Sequence, residues 1–281
     1  MATVPLPPDQ QYWVSRPLAD DPRIVQVHRD VPPRDVPYVP TEPAIVEAML
    51  DMAAVGSGDV VYDLGCGDGR ICIAAAQRGA RAVGVDIDPL RIRESRHNAR
   101  LAGVVDRVEF RCESFFDVDL SPATVVTLFL LTRINIQLRP KLQRELRAGT
   151  RVVANTFGLG DWAWDARKMV QHRWVYLWLI PARVEGRWRC WLEMAPSRQR
   201  MLLDLHRRNQ FVTGTAKTGG REIPIINGRL AGDELTFTLP HMGGAMAPTR
   251  FECRFDGQYL RGTCHLKGAG DRPVRWAGLR G

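Results

Sequence analysis

The 281-residue chain has no Cys-x-x-Cys pair, and its six cysteines, at 66, 72, 112, 190, 253 and 264, have no histidine at ligand spacing. No metal is therefore expected, and the spacing offers no disulfide scaffold. Several of these cysteines fall within apolar runs and read as small core residues. No apolar run approaches the roughly 20 residues that cross a bilayer. The start, Met1-Ala2-Thr3-Val4-Pro5, carries neither a basic nor an apolar leader segment, so the cytoplasm is the expected compartment. An acidic excess is missing too: the net charge is +8 and the pI about 9.5. That balance permits acidic partners such as nucleic acid or an anionic membrane face. Read along the chain, however, the charges are spread out. Without a reader motif or a basic–aromatic stripe, a solvated surface is expected and nucleic acid ranks last as a substrate.

What is present is a full core composition, 45% apolar with 25% charged residues, in a length that suits one large domain or a medium and a small one. The organising stretch is Val60-Val61-Tyr62-Asp63-Leu64-Gly65-Cys66-Gly67-Asp68-Gly69-Arg70-Ile71. A buried strand ends in an acid, glycines at alternate positions turn the backbone tightly, and a helix begins. Such glycines tolerate positive φ and leave no Cβ between backbone and ligand. The helix start offers free N–H groups to an electron-rich ligand. A P-loop would need a Lys and a hydroxyl that are absent. A dinucleotide loop would need its third glycine one residue later. Asp63 suits a cationic ligand better than a pyrophosphate.

Residues 1–37 are Pro-rich and read as an extended arm. Pro37-Tyr38-Val39-Pro40-Thr41-Glu42-Pro43 then leads into a helix through Ile45, Val46, Met49 and Leu50, with Thr41 as its expected cap. Further strands are expected at 82–85, 108–112, 124–131 and 151–154, with helices after Pro89 and over 136–146. The helix after Pro89 carries Arg91, Arg93, Glu94, Arg96 and Arg100 and reads as solvent-facing. This alternation predicts an α/β fold with a doubly wound, mostly parallel sheet. Residues 174–180 and 187–192 look like a strand pair completing seven strands. Beyond Pro196, turn signals at Gly219-Gly220, Asn227-Gly228, Gly243-Gly244 and Asp256-Gly257 suggest an antiparallel meander or partial barrel. A weak repeat also appears there: Val212-Thr213-Gly214-Thr215, Leu230-Ala231-Gly232-Asp233 and Leu260-Arg261-Gly262-Thr263. The expected domains are thus an arm over 1–37, an α/β domain over 38–196 and a β-rich domain over 197–281.

Asp-x-Gly-x-Gly-x-Gly, followed by a second strand ending in Asp86, resembles the seven-strand S-adenosylmethionine-dependent methyltransferases. More narrowly, the chain resembles the protein-lysine methyltransferases of the ATP synthase c-subunit and adenine nucleotide translocase, with their bacterial relatives. Pro37 to Thr41, Tyr62 to Ile71, Gly84-Val85-Asp86-Ile87-Asp88, Val125 to Leu131, Leu138 to Leu142 and Gly149 to Val153 carry the likeness. It implies a Rossmann-like methyltransferase fold and S-adenosyl-L-methionine as cofactor. The implied cofactor residues are Tyr38, Thr41, Asp63, Gly65, Cys66, Gly67, Gly69, Asp86, Ile87, Ser114 and Leu128. Among them Asp63 reaches the methionyl ammonium and Asp86 the ribose hydroxyls. The third strand ends Glu113-Ser114 where the family has Gly-Asp, Thr132 stands where it has Pro, and Ala154-Asn155 where it often has Ser-His. The last two changes lie on the methyl-acceptor side.

The implied activity is N-methylation of a protein lysine. A small-molecule acceptor, or a cofactor-binding interaction module without turnover, are the alternatives. Asn155 and Asp161 are the candidates for a base by position. The absence of Asn-Pro-Pro-Tyr or Asp-Pro-Pro-Tyr after the fourth strand disfavours a base-amine or glutamine methylase.

Overall fold

A computed structural model describes residues 38–194, 197–242, 247–266 and 273–281. The arm expected over 1–37 and the turn at Gly243-Gly244 lie outside the described residues. The contacts divide the chain into two compact units. The first comprises residues 38–146 with Thr150–Trp178, the second Arg147–Gly149 with Leu179–Gly281.

In the first unit, Pro43 supplies the fixed φ that opens helix α1 (Pro43–Met52), whose Ile45, Val46, Met49 and Leu50 are buried. Glu42 rather than Thr41 stands at its N-cap, and no side chain caps it. There follow β1 (Val60–Leu64), α2 (Arg70–Gln77), β2 (Arg81–Asp86), α3 (Pro89–Leu101), β3 (Val108–Cys112), β4 (Val125–Leu128), α4 (Thr132–Glu145) and β5 (Arg151–Asn155). The hairpin β6 (Ala166–Val170) and β7 (Arg173–Leu179) closes the series. The seven strands run in the order β3-β2-β1-β4-β5-β7-β6, with β3-β2-β1-β4-β5 parallel and β6–β7 antiparallel. The chain leaves β1 for β2 on one side and returns as β4 on the other. Such a reversal opens a crevice at the carboxyl edge, where ligands bind in sheets of this kind.

Two boundaries differ from expectation. β4 ends at Leu128 and α4 begins at Thr132, because Leu131 serves as its N-cap. Asn135, fully buried, donates its amide to the carbonyls of Leu130 (3.3 Å) and Phe157 (2.9 Å) and so fixes that corner. The last sheet pair is the larger correction. Residues 174–180 do enter the sheet as β7, but their partner is β6, whose Ala-Arg-Lys-Met-Val is exposed almost throughout. An edge strand with no buried face shows no apolar alternation.

Residues 187–192 belong instead to β8 (Gly186–Met194) of the second unit. Here β8, β9 (Ser197–Arg208), β10 (Phe211–Thr218), β12 (Ile226–Ala231), β13 (Glu234–Leu239), β14 (Thr249–Phe255), β15 (Tyr259–Cys264) and β16 (Val274–Arg280) pair antiparallel in turn. β16 pairs back onto β8, closing an eight-strand barrel, while the short β11 (Arg221–Pro224) hangs from β10. A boundary at 196 would cut the β8–β9 hairpin. Inward residues alternate along each strand. Trp188, Leu192, Leu203, Leu205, Phe237, Phe251 and Trp276 fill the interior, with Phe237 and Phe251 stacked at 4.8 Å and Trp276 edge-on to both.

Of the weak repeat, two glycines allow close strand approach. A Cβ at Gly214 would overlap the Asp204 carbonyl, and one at Gly262 the Glu252 carbonyl. Gly232, at φ 64°, belongs to the β12–β13 turn instead. Asn227-Gly228 is not a turn either: it lies within β12, at an irregularity between Ile226 and Arg229.

Candidate functional site

The crevice predicted by the strand order is a cleft, open to solvent, at the carboxyl ends of β1, β2 and β4. Its floor is the glycine loop. Gly65, Gly67 and Gly69 have φ of 84°, 52° and 82°, values that L side chains rarely adopt. Gly65 and Cys66 both donate their N–H to the carbonyl of Val85, at 2.8 and 3.0 Å, tying the loop to the end of β2. Gly69 then stands at the N-cap of α2.

Two carboxylates flank this loop. Asp86 receives the Gly67 N–H on one oxygen and the Asp88 N–H on the other, each at 2.9 Å. Burial raises its pKa, and those two donors oppose the rise. Asp63 is 3% exposed, and its Oδ1 accepts from the Thr127 hydroxyl at 2.7 Å. Its other oxygen has no partner among the described residues. Burial pushes its pKa up to about 7, with Thr127 working against the shift and the charges of Asp86 and Asp68 adding to it. A buried, half-satisfied carboxyl in a cleft asks for a cationic ligand group.

The segment 38–41 covers the loop. Its anchor is Arg70, which donates to the Thr41 carbonyl at 2.6 Å and forms a fork with Asp68, 2.5 Å at its closest. The Tyr38 ring lies so near Gly67 that a Cβ there would overlap it, and the Arg91 guanidinium sits over the same ring at 4.2 Å. The wall toward β4 is apolar, formed by Phe129 and Leu130, and Phe115 adds an apolar face after β3.

Of the residues expected from the sequence, Tyr38, Thr41, Asp63, Gly65, Cys66, Asp86 and Ile87 line the cleft. Gly67 and Gly69 shape the loop beneath it without lining it. Ser114 and Leu128 are displaced by one position: Ser114 accepts the Phe116 N–H while Phe115 faces the cleft, and Leu128 is wholly buried while Phe129 and Leu130 face it. Neither base candidate lines it. Asp161 is an exposed partner of Arg139, and Asn155 is 1% exposed at the end of β5, accepting from the Thr156 hydroxyl at 2.9 Å. The Asp68–Arg70 fork and Arg91 were not anticipated. Charged residues on a helix start look solvated in sequence, and only the return of segment 38–41 gives them a task.

A ligand with an ammonium, a diol and a flat ring fits these parts. Asp63 could hold the ammonium, Asp86 the diol, and Ile87 with Phe115 the ring. Missing Cβ atoms at the glycines leave room for its chain. Residues 63–166 match the family model described as the ANTKMT methyltransferase domain. Over 129 residues the chain is 52% identical to a protein-lysine N-methyltransferase of Saccharolobus islandicus, covering 45% of this chain and 80% of that one. Over 130 residues it is 35% identical to the ATP synthase c-subunit lysine N-methyltransferase of Homo sapiens, covering 46% of this chain and 55% of that one. The chain thus spans about half the length of the human relative. Among solved structures, it is similar to an RNA methyltransferase from Salinibacter ruber in complex with S-adenosyl-L-homocysteine. The identity is 48% and the TM-score 0.51, over 52% of this chain and 96% of that one.

Proposed function

The chain belongs to the S-adenosylmethionine-dependent protein-lysine N-methyltransferases, and from that premise we propose that it methylates the ε-amino group of a lysine in a protein. The observation that carries the reading is the cleft itself, with its glycine loop, two flanking carboxylates and apolar wall on the acceptor side. When bound, S-adenosylmethionine supplies an electrophilic methyl group on a sulfonium. Asp63 would hold its ammonium and Asp86 its ribose hydroxyls, while the Gly65–Gly69 backbone would let the amino acid end lie close. Segment 38–41, pinned by Arg70, shields the site from water. Orientation of the acceptor supplies most of the acceleration in such a displacement.

The acceptor amine must arrive without its proton, against an unperturbed pKa of about 10.4. Phe129 and Leu130 form a surface that disfavours the charged amine, which then yields its proton to solvent before the nitrogen attacks. The bound cofactor would supply the methyl carbon for the new N–C bond and take up the electron pair of its own C–S bond on sulfur.

The test is incubation with methyl-labelled cofactor and a proteome extract, followed by hydrolysis and amino acid analysis. Label recovered as methyl-lysine is expected. A second reading, RNA as acceptor, draws on the name of the 48% identical solved structure. Label that nuclease releases, and protease does not, would replace the lysine reading with that one.

A further inference from the structure

In sequence the chain's basic residues look scattered. By unit they are not. Residues 179–281 hold 17 Lys and Arg against nine Asp and Glu, while residues 1–178 hold 22 of each. The whole net charge of +8 therefore resides in the stretch that builds the barrel. Strand pairing then gathers part of it on one outer face.

On β8, β9 and β10 the inward positions are apolar, so the alternate residues face out. Register places Arg189 beside Leu202, and Leu202 beside Lys217, in one row. The next row sets Trp191 beside Arg200, and Arg198 follows two residues before Arg200 on β9. Arg189, Arg198, Arg200 and Lys217 are all exposed, and none forms an ion pair among the described residues. Elsewhere on the barrel the pattern is different. Arg207 pairs with Glu185, Arg250 with Glu252, Arg254 with Glu234 and Arg261 with Asp256. The row of Trp191 and Arg200 holds no carboxylate, and the other meets one only at its end, where Glu222 of β11 stands opposite Lys217. Glu193, opposite Arg198, and Asp204, held near Arg187 and His206, stand at the margins. Leu202, 51% exposed, and the half-buried Trp191 lie between the cations.

We propose that the outer face of β8–β9–β10 binds the backbone of a single-stranded nucleic acid. Side chains two apart on a strand are about 6.7 Å from each other, and neighbouring strands about 4.8 Å. Three arginine forks and a lysine on that lattice meet the repeated phosphates of a flexible polyanion. Trp191 gives an unpaired base a surface to stack on, which a duplex could not use. The absence of a basic–aromatic stripe along the sequence is thus corrected: the stripe runs across three strands. This surface does not depend on which acceptor the cleft methylates.

Fluorescence anisotropy of a labelled single-stranded oligonucleotide with the full chain tests the proposal. Binding is expected to weaken with salt, with a log–log slope of about −0.7 for each phosphate neutralised. Arg200→Glu with Lys217→Glu should weaken it more than tenfold and flatten the slope by about 1.4. Trp191→Ala should also weaken it. Arg250→Glu with Arg254→Glu, on the ion-paired side, should leave it unchanged. Far-UV circular dichroism and thermal unfolding, measured in parallel, should be the same in all of them and so report an intact barrel. The proposal is overturned if the Arg200/Lys217 double variant binds like the parent. It is equally overturned if a polyglutamate peptide or phosphatidylserine vesicles displace the oligonucleotide at equal charge concentration.

Discussion

The backbone N–H of Gly67 donates to Asp86 Oδ2 at 2.9 Å, so the glycine loop and the acid of the second strand are a single unit. The carboxylate proposed to hold the cofactor's ribose also sets the shape of the loop beneath it. Binding and local architecture are therefore coupled at one side chain.

Asp86→Ala should consequently do two things at once. It removes the ribose acceptor and leaves the N–H groups of Gly67 and Asp88 without their partner. Charge-assisted bonds of this sort are worth about 1.5–3 kcal/mol each. Calorimetry with S-adenosylhomocysteine should show at least a tenfold loss of affinity, and thermal unfolding a lower Tm. Asp86→Asn should keep more of the Tm than of the affinity. Asp88→Ala, which removes the cap on Leu90, should cost affinity less than Asp86→Ala does.

Gly67→Ala places a methyl group against the Tyr38 ring at a backbone φ of 52°. The ring must move, and with it the cover over the cleft. Stopped-flow release of the cofactor product is expected to quicken severalfold, with a smaller effect on its association. Arg70→Met, which frees the Thr41 carbonyl, should show the same asymmetry. Equal changes in both rates would show that segment 38–41 does not act as a cover.

Asp63 gives the cleft a pH dependence. With a pKa near 7 it is largely protonated at pH 6, yet it must be ionised to hold the cofactor's ammonium. Affinity for S-adenosylhomocysteine should therefore rise by up to about tenfold per pH unit below 7 and level off above it. Stability should move the other way. A carboxyl whose folded pKa is raised favours the folded state below its unfolded value of about 3.9, and loses that contribution as pH rises through about 7. Asp63→Asn should flatten both profiles between pH 4 and 7.

The barrel's closure predicts where the chain can be cut. A chain ended at residue 196 keeps β8 but loses both its partners, β9 and β16, and exposes Trp188 and Leu192. It should aggregate. A chain ended after residue 180 leaves no stray strand, and should bind S-adenosylhomocysteine with nearly the parent affinity. Size-exclusion chromatography and calorimetry on the two distinguish these outcomes.

The glycine loop was legible because its chemistry is local: alternate glycines between a strand and a helix have few other uses. Asp63, Asp86 and the parallel strands followed from the same short-range pattern. Trp174 to Leu179 and Gly186 to Met194 show where that logic stops. Both are short runs rich in tryptophan and aliphatic residues, yet one joins the seven-strand sheet and the other the barrel. β8 is claimed by β16, and nothing near residue 190 encodes that partner. β6 escaped for the opposite reason, having no buried face to show. Ser114 and Leu128 missed the cleft by one residue, because alternation fixes which faces exist but not where a strand ends.

Val274 lies 80 residues beyond Met194, and the barrel's last ladder joins the strands that end and begin there. On a ribosome adding 5–20 residues per second, β8 therefore waits several seconds for its second neighbour. The parallel sheet, complete by Leu179, has no such delay. During that interval the first unit's sheet is finished while the barrel's aromatic lining is still open to water, which makes the unfinished second unit the part of the newly made chain most exposed to aggregation.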